Sequence, residues 1–159
     1  MFWFAVAAPV LVAEVFRSPL VDYRLVIVGA LLPLVEAAAG RPSILHTLIG
    51  SVALLFLVMV TTVNRRLLRR RLLGLPIGMF LHLVLDGTWT DSELFWWPAF
   101  GTDLPSGLPV AGRSPLLLIG MELAAVGLAV WAWRRYGLAS PANRSLLVRE
   151  GHLAREVLR

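Results

Sequence analysis

Five apolar runs divide the chain, at 2–16, 25–39, 44–63, 72–88 and 114–133, separated by short polar stretches in which arginine dominates. A helix rises about 1.5 Å per residue and the hydrocarbon core of a bilayer is about 30 Å thick, so the third and fifth runs are long enough to cross it. The other three are shorter and fit as spans that are tilted, packed within a bundle or lengthened by interfacial residues. The first run lacks the basic start of a secretory signal and carries Glu14 before Arg17, so it reads as a retained helix. The pattern predicts an all-α protein: a polytopic transmembrane bundle of about five helices over residues 1–137, with a long outer loop at 89–112. Gly29, Gly50, Gly74, Gly78, Gly120 and Gly127 fall within or at the ends of the runs, where small residues let helices approach closely.

After Gly137 the pattern changes. Ser140 suits an N-cap and Pro141 the first turn of a helix, while Leu146, Leu147, Leu153, Val157 and Leu158 make a broken apolar stripe flanked by Arg144, Arg149, Arg155 and Arg159. Residues 138–159 therefore predict a basic amphipathic helix lying on the anionic cytoplasmic leaflet, with a frayed tail as the alternative. His152 reads as a surface residue of that tail.

Composition agrees with a bilayer as solvent: 58% of residues are apolar, 16% are charged, and mean hydropathy is +0.76. All 15 Lys+Arg residues are arginine, and the net charge is +5. Beside apolar runs, arginine orients a membrane protein and binds anionic headgroups, so membrane lipids rather than nucleic acid are the expected partners. Any protein partner is left unspecified by the sequence. The absence of cysteine excludes disulfides, thiolate metal sites and cysteine nucleophiles.

Arg65, Arg66, Arg69, Arg70 and Arg71 crowd the segment between the third and fourth runs, which places that segment in the cytoplasm. Alternating crossings then put Arg17, Arg24, Arg134 and Arg135 inside, and the loop carrying Asp91, Glu93 and Asp103 outside. The expected location is the inner (plasma) membrane, multi-pass, with the N-terminus outside and the C-terminus cytoplasmic. Phe95, Trp96 and Trp97 in the loop, and Trp131 and Trp133 at the far end of the fifth run, fit interfacial aromatic belts. Pro98, Pro105 and Pro109 argue against regular loop structure beyond one short helix.

An ionisable residue at membrane depth costs roughly 2.5–3.5 kcal/mol on insertion scales, so each such residue calls for a reason. The candidates are Glu14, Glu36, His46, His82, Asp86 and Glu122. His82 and Asp86, four apart, share one helix face within reach of a common ion. His46 and Glu36 fall at the same depth near the outer boundary. Two imidazoles and two carboxylates can hold Zn²⁺ foremost, or Mn²⁺ or Fe²⁺. A divalent ion there supplies Lewis acidity and an acidified water. Glu36 or Asp86 can instead serve as general base. The bland alternative pairs Glu36 with Arg41 and satisfies His46 through Thr47 or a backbone carbonyl. Glu122 is open between support of the site and structural pairing, and a salt bridge to Arg17 or interfacial exposure suffices for Glu14. Val21-Asp22-Tyr23-Arg24 reads as an anchor at the inner face. No Gly-rich phosphate loop, Gly-x-Ser-x-Gly elbow or HExxH is present.

The segments Gly29-Ala30-Leu31-Leu32-Pro33, Leu45-His46-Thr47-Leu48, Gly78 to Gly87 and Trp97-Pro98 together resemble the LexA-regulated family of inner-membrane metal-dependent hydrolases. The resemblance covers roughly residues 25–100. It implies a metal site built from His46, His82 and Asp86, and hydrolysis of a membrane-proximal ester or phosphoester. Leu34 stands where that family has its first Asp, leaving Glu36 as the nearby acid, and the His-Arg pair before the His-Thr/Ser segment is represented only by Arg41. The expected function is thus a membrane-bound metal-dependent hydrolase of a lipid or polyprenyl (phospho)ester near the extracytoplasmic face. The alternative is a non-catalytic membrane subunit or scaffold whose polar cluster binds a lipid headgroup or a partner protein.

Overall fold

The computed structural model describes residues 2–38, 44–102 and 113–158, and every regular element among them is helical. The long helices follow the apolar runs closely: α1 Phe2–Phe16, α2 Tyr23–Ala38, α3 Leu48–Thr61, α5 Gly74–Leu85 and α7 Pro115–Arg135. The arginine cluster is itself a short helix, α4 Arg66–Leu72, exposed along its length save for Arg69 and Leu72, which are half-buried. In the loop after α5 a single turn, α6 Ser92–Phe95, is capped by Asp91, whose carboxylate accepts from the Leu94 N–H at 3.2 Å. Phe95, expected at the interface, instead packs inward with Leu94, whereas Trp89 and Trp96 are exposed. Asp103, Pro105, Pro109 and Arg41 lie outside the described residues.

α2 and α5 form the spine, and glycine is the reason they can. A Cβ on Gly29 would strike the Leu75 carbonyl, and one on Gly78 would strike the Val26 carbonyl and come within 2.8 Å of the Ala30 nitrogen. Gly50 and Gly74 similarly admit the Ile44 and Asp22 carbonyls. Gly120 and Gly127, expected to do the same, meet nothing within 4 Å, because they sit on the open side of α7. α1 and α7 pack beside the spine, and the core that joins them includes Phe4, Ala8, Val12, Val26, Ala30, Ala132 and Tyr136.

One helix among the described residues, α7, is long and apolar enough to cross a membrane: 21 residues, with only 11% of its most apolar window buried. α1 and α3 are shorter apolar helices. α3 exposes Val52, Leu55, Phe56, Leu57, Met59 and Val60, and α7 exposes Leu116, Ile119, Leu123, Val126 and Val130.

The tail departs from the amphipathic helix expected of it. α8 Pro141–Ser145 begins where Ser140 and Pro141 suggested, but passes at once into a wider π turn over Leu146–Glu150 and stops at Gly151, whose φ is +78°. The chain then folds back on the start of α2. Gly151 accepts from the Tyr23 N–H at 2.7 Å, His152 Nδ1 donates to the Val21 carbonyl at 3.1 Å, and Arg24 donates to the Val148 and Arg149 carbonyls. Leu153 and Leu158 are buried in the common core. Val21-Asp22-Tyr23-Arg24 is thus the receiver of the tail. Burial alone would raise the Asp22 carboxyl, yet the Arg24 guanidinium, bonded to it at 3.0 Å, holds it below the usual carboxylate value.

Glu14 pairs across the bundle rather than with Arg17: it accepts from the Tyr136 hydroxyl at 3.0 Å and lies 3.8 Å from Arg135 Nε. A charge expected to be settled locally is instead shared between α1 and the end of α7. Glu122 accepts from the Phe2 N–H at 2.9 Å, meeting one of the amide donors that the first turn of α1 leaves without a helical acceptor.

Candidate metal centre

Three local structures deliver the candidate ligands. Before α3, a 3-10 turn at Ile44–His46 is stopped by Thr47, whose hydroxyl donates to the Ile44 carbonyl at 2.7 Å and accepts from the Gly50 N–H at 3.1 Å. That reciprocal cap fixes His46 at the mouth of the helix. His82 occupies the last turn of α5, and Asp86 is that helix's C-cap, with Gly87 left-handed at φ +67° to end the helix there. The four-residue spacing puts the imidazole and the carboxylate on one face.

One ligand atom from each of His46, His82 and Asp86 lies within 4.8 Å of the other two, and all three side chains are fully buried. The tautomers follow from the partners. His82 Nδ1 is 2.7 Å from the Ala30 carbonyl, which can only accept, so Nδ1 carries the hydrogen and Nε2 keeps its lone pair. His46 Nδ1 likewise faces Glu36 Oε2 at 3.2 Å. Both rings therefore offer Nε2, the arrangement of a metal-ligating histidine whose other nitrogen is held by a carbonyl or carboxylate. His82 Nε2 has no hydrogen-bond partner despite complete burial, a state that costs about 1–3 kcal/mol unless something binds there, and Asp86 Oδ1 is met only by the Arg113 ion pair. Phe4 stacks on the His82 ring at 4.1 Å, and the two imidazoles meet edge to face at 5.7 Å.

Two opposing influences meet at Asp86, a helix C-terminus and a guanidinium. Asp86 stands at the C-terminal end of α5, where the helix dipole adds about half a negative charge. Thr88 donates to Asp86 Oδ2 at 3.3 Å, leaving Oδ1 toward Arg113, whose Nη1 is 3.4 Å away. Arg113 also donates to the Asp86 backbone carbonyl and to Met121 sulfur.

Of the sequence-predicted residues, His46, His82 and Asp86 converge. Glu36, expected as a ligand or base, lies behind His46, where its two oxygens accept from the Leu45 N–H at 3.2 and 3.1 Å and Oε2 holds the ring. Arg113 was missed by sequence reasoning, although it is the first basic residue after the acidic loop and stands at the start of the fifth run.

No protein-family model, curated protein or solved structure matches this chain. What the site can do is therefore argued from its own side chains. Two imidazoles and one carboxylate could hold a metal ion, and the buried His82 Nε2 without a hydrogen-bond partner fits such an ion.

Proposed function

We propose that this chain is a multi-pass membrane protein that holds a divalent metal ion, zinc foremost, and hydrolyses a lipid or polyprenyl ester or phosphoester near the extracytoplasmic face. The observation that carries the reading is the pair of buried imidazoles whose Nδ1 atoms are both engaged, leaving Nε2 lone pairs on two rings grouped with the buried Asp86 carboxylate. The resemblance to the inner-membrane hydrolases supports the same three residues.

The membrane reading draws support from α7, whose 21 residues span about 31 Å. It draws further support from the continuous apolar faces that α3 and α7 turn outward. The arginine cluster at 65–71 favours a cytoplasmic position for that end and an outer one for the site.

When bound, the ion supplies Lewis acidity at the reacting phosphoryl or carbonyl group. The chain's own residues do the rest. Glu36 and the Ala30 carbonyl lock the two imidazoles, Phe4 and the surrounding helices exclude bulk water, and Asp86 anchors the negative side of the site. Arg113, a planar donor beside Asp86, suits a phosphate oxygen and favours the phosphoester over the neutral ester.

Metal analysis of the purified protein tests the proposal, with about one equivalent of zinc expected in the native chain and under about a tenth in His82→Ala. Less than about a tenth of an equivalent of any divalent metal in both proteins would sink it, and would leave the non-catalytic alternative, a polar cluster that binds a headgroup or a partner.

A further inference from the structure

We infer that Arg113 holds the cation position at Asp86 while no metal is bound, and gives it up for a phosphate oxygen of the substrate once the three ligands take up their ion. Such an exchange presupposes the metal-dependent reading above.

Asp86 has one oxygen to offer. Its Oδ2 accepts from the Thr88 hydroxyl at 3.3 Å, which leaves Oδ1 to ligate beside His46 and His82. That oxygen is buried without a hydrogen-bond partner, and what faces it is Arg113 Nη1, at 3.4 Å. The guanidinium is thus near enough to neutralise the carboxylate without being bonded to it. A metal ion on Oδ1 and a guanidinium at that distance repel one another, so the two compete for one carboxylate.

Arg113, rather than a ligand, is the member that can move. His46, His82 and Asp86 are no more than 1% exposed, whereas the Arg113 side chain is 18% exposed and stands at the edge of the site. Its holds are also weak. Of the five N–H donors of a guanidinium, those with an acceptor among the described residues meet the Asp86 backbone carbonyl and the Met121 thioether, a poor acceptor. Arg113 directly precedes Ser114, the N-cap of α7, and α7 packs chiefly on α1, so the arginine is tied to the end of α5 by its side chain. Its departure leaves the helix contacts in place.

Once off Asp86, the planar guanidinium presents paired donors that match two oxygens of a phosphate. Starting 3.4 Å from a ligand atom, it stays within side-chain reach of a phosphoryl group at the site. A neutral ester carries no charge for it to meet, so the exchange selects the phosphoester. Metal and phosphate then favour one another, because each keeps the guanidinium from Asp86.

The test reads Arg113 itself. The full chain in detergent, stripped of metal and then reloaded with zinc, is treated with phenylglyoxal, which modifies accessible guanidinium groups, and the adducts are mapped by peptide mass spectrometry. Arg66, exposed on α4, is the internal reference. Arg113 is expected to react slowly without metal, about fivefold or more faster with zinc, and slowly again when inorganic phosphate is added. In Asp86→Asn, which keeps the backbone carbonyl and removes the charge, it should react fast with or without zinc. In His82→Ala, zinc should leave the rate unchanged. Bound zinc with an unchanged Arg113 rate overturns the exchange and leaves the metal site standing. A slow rate in Asp86→Asn, a zinc-induced rise in His82→Ala, or a rise in the native chain that phosphate does not reverse also overturns it. No zinc bound to the native chain removes the metal reading, and the exchange with it.

Discussion

Glu36 illustrates how one carboxylate acts through another residue. Its oxygens hold the Leu45 amide and the His46 ring, so its removal should loosen the ring without taking a ligand away. Glu36→Ala is expected to weaken zinc binding about 10–100-fold, whereas Glu36→Gln, whose amide oxygen still accepts from Nδ1, should lose less. Titration against a chelating dye reads both. Arg113 should behave in the opposite sense. Its guanidinium opposes a second cation beside Asp86, and removing a charge at that range is worth on the order of a kcal/mol or more. Arg113→Gln should therefore tighten zinc about tenfold while abolishing any preference for phosphorylated over neutral substrates. The spacing of His82 and Asp86 was enough to place both on one face. Nothing in the spacing could show that Arg113, 27 residues beyond Asp86, would return to the same carboxylate, because the intervening chain has no periodicity to carry a direction.

Among the elements, the crossing of α2 and α5 is the one on which the site depends, since His82 hangs from the Ala30 carbonyl across that contact. Gly78→Ala would drive a Cβ into the Val26 carbonyl, and is expected to cost about 1–3 kcal/mol in a thermal melt in detergent. Gly127→Ala, which meets open space on α7, should be neutral or stabilise by up to about 1 kcal/mol. The six helical glycines looked alike in sequence; what divides them is whether a neighbour's backbone lies opposite, which depends on which face of each helix is turned inward. The tail shows the limit more sharply. Its apolar stripe was legible, but the partner of that stripe is the turn before α2, over a hundred residues away. The Asp22–Arg24 pair that receives it titrates. Because the Asp22 carboxyl is held below its ordinary value, its contribution is complete above about pH 4 and is lost as the pH falls through the lowered value. Hydrogen exchange of residues 146–158, corrected for intrinsic rate, should therefore quicken below about pH 4, and Asp22→Asn should remove that dependence.

At the scale of the whole molecule, the apolar runs located α1, α2, α3, α5 and α7 to within a few residues, because a helix that buries or presents an apolar surface must spell it out continuously. Which faces meet was not written there, since runs that are apolar on all sides carry little directional signal. The orientation proposed across a bilayer can be tested directly, because the sequence contains no cysteine. Single cysteines at Thr102→Cys and Asn64→Cys should divide cleanly: an impermeant maleimide added to intact cells should label the first and spare the second, and the reverse pattern would invert the topology. The folded-back tail also sets an order of events during synthesis. The four helices around the site are complete once Asp86 has emerged, whereas the residues that close over Asp22 come more than sixty positions later, a delay on the order of several seconds at ordinary elongation rates. The nascent chain can thus bring His46, His82 and Asp86 together while the turn before α2 is still uncovered, and the tail closes over it only after those helices have found one another.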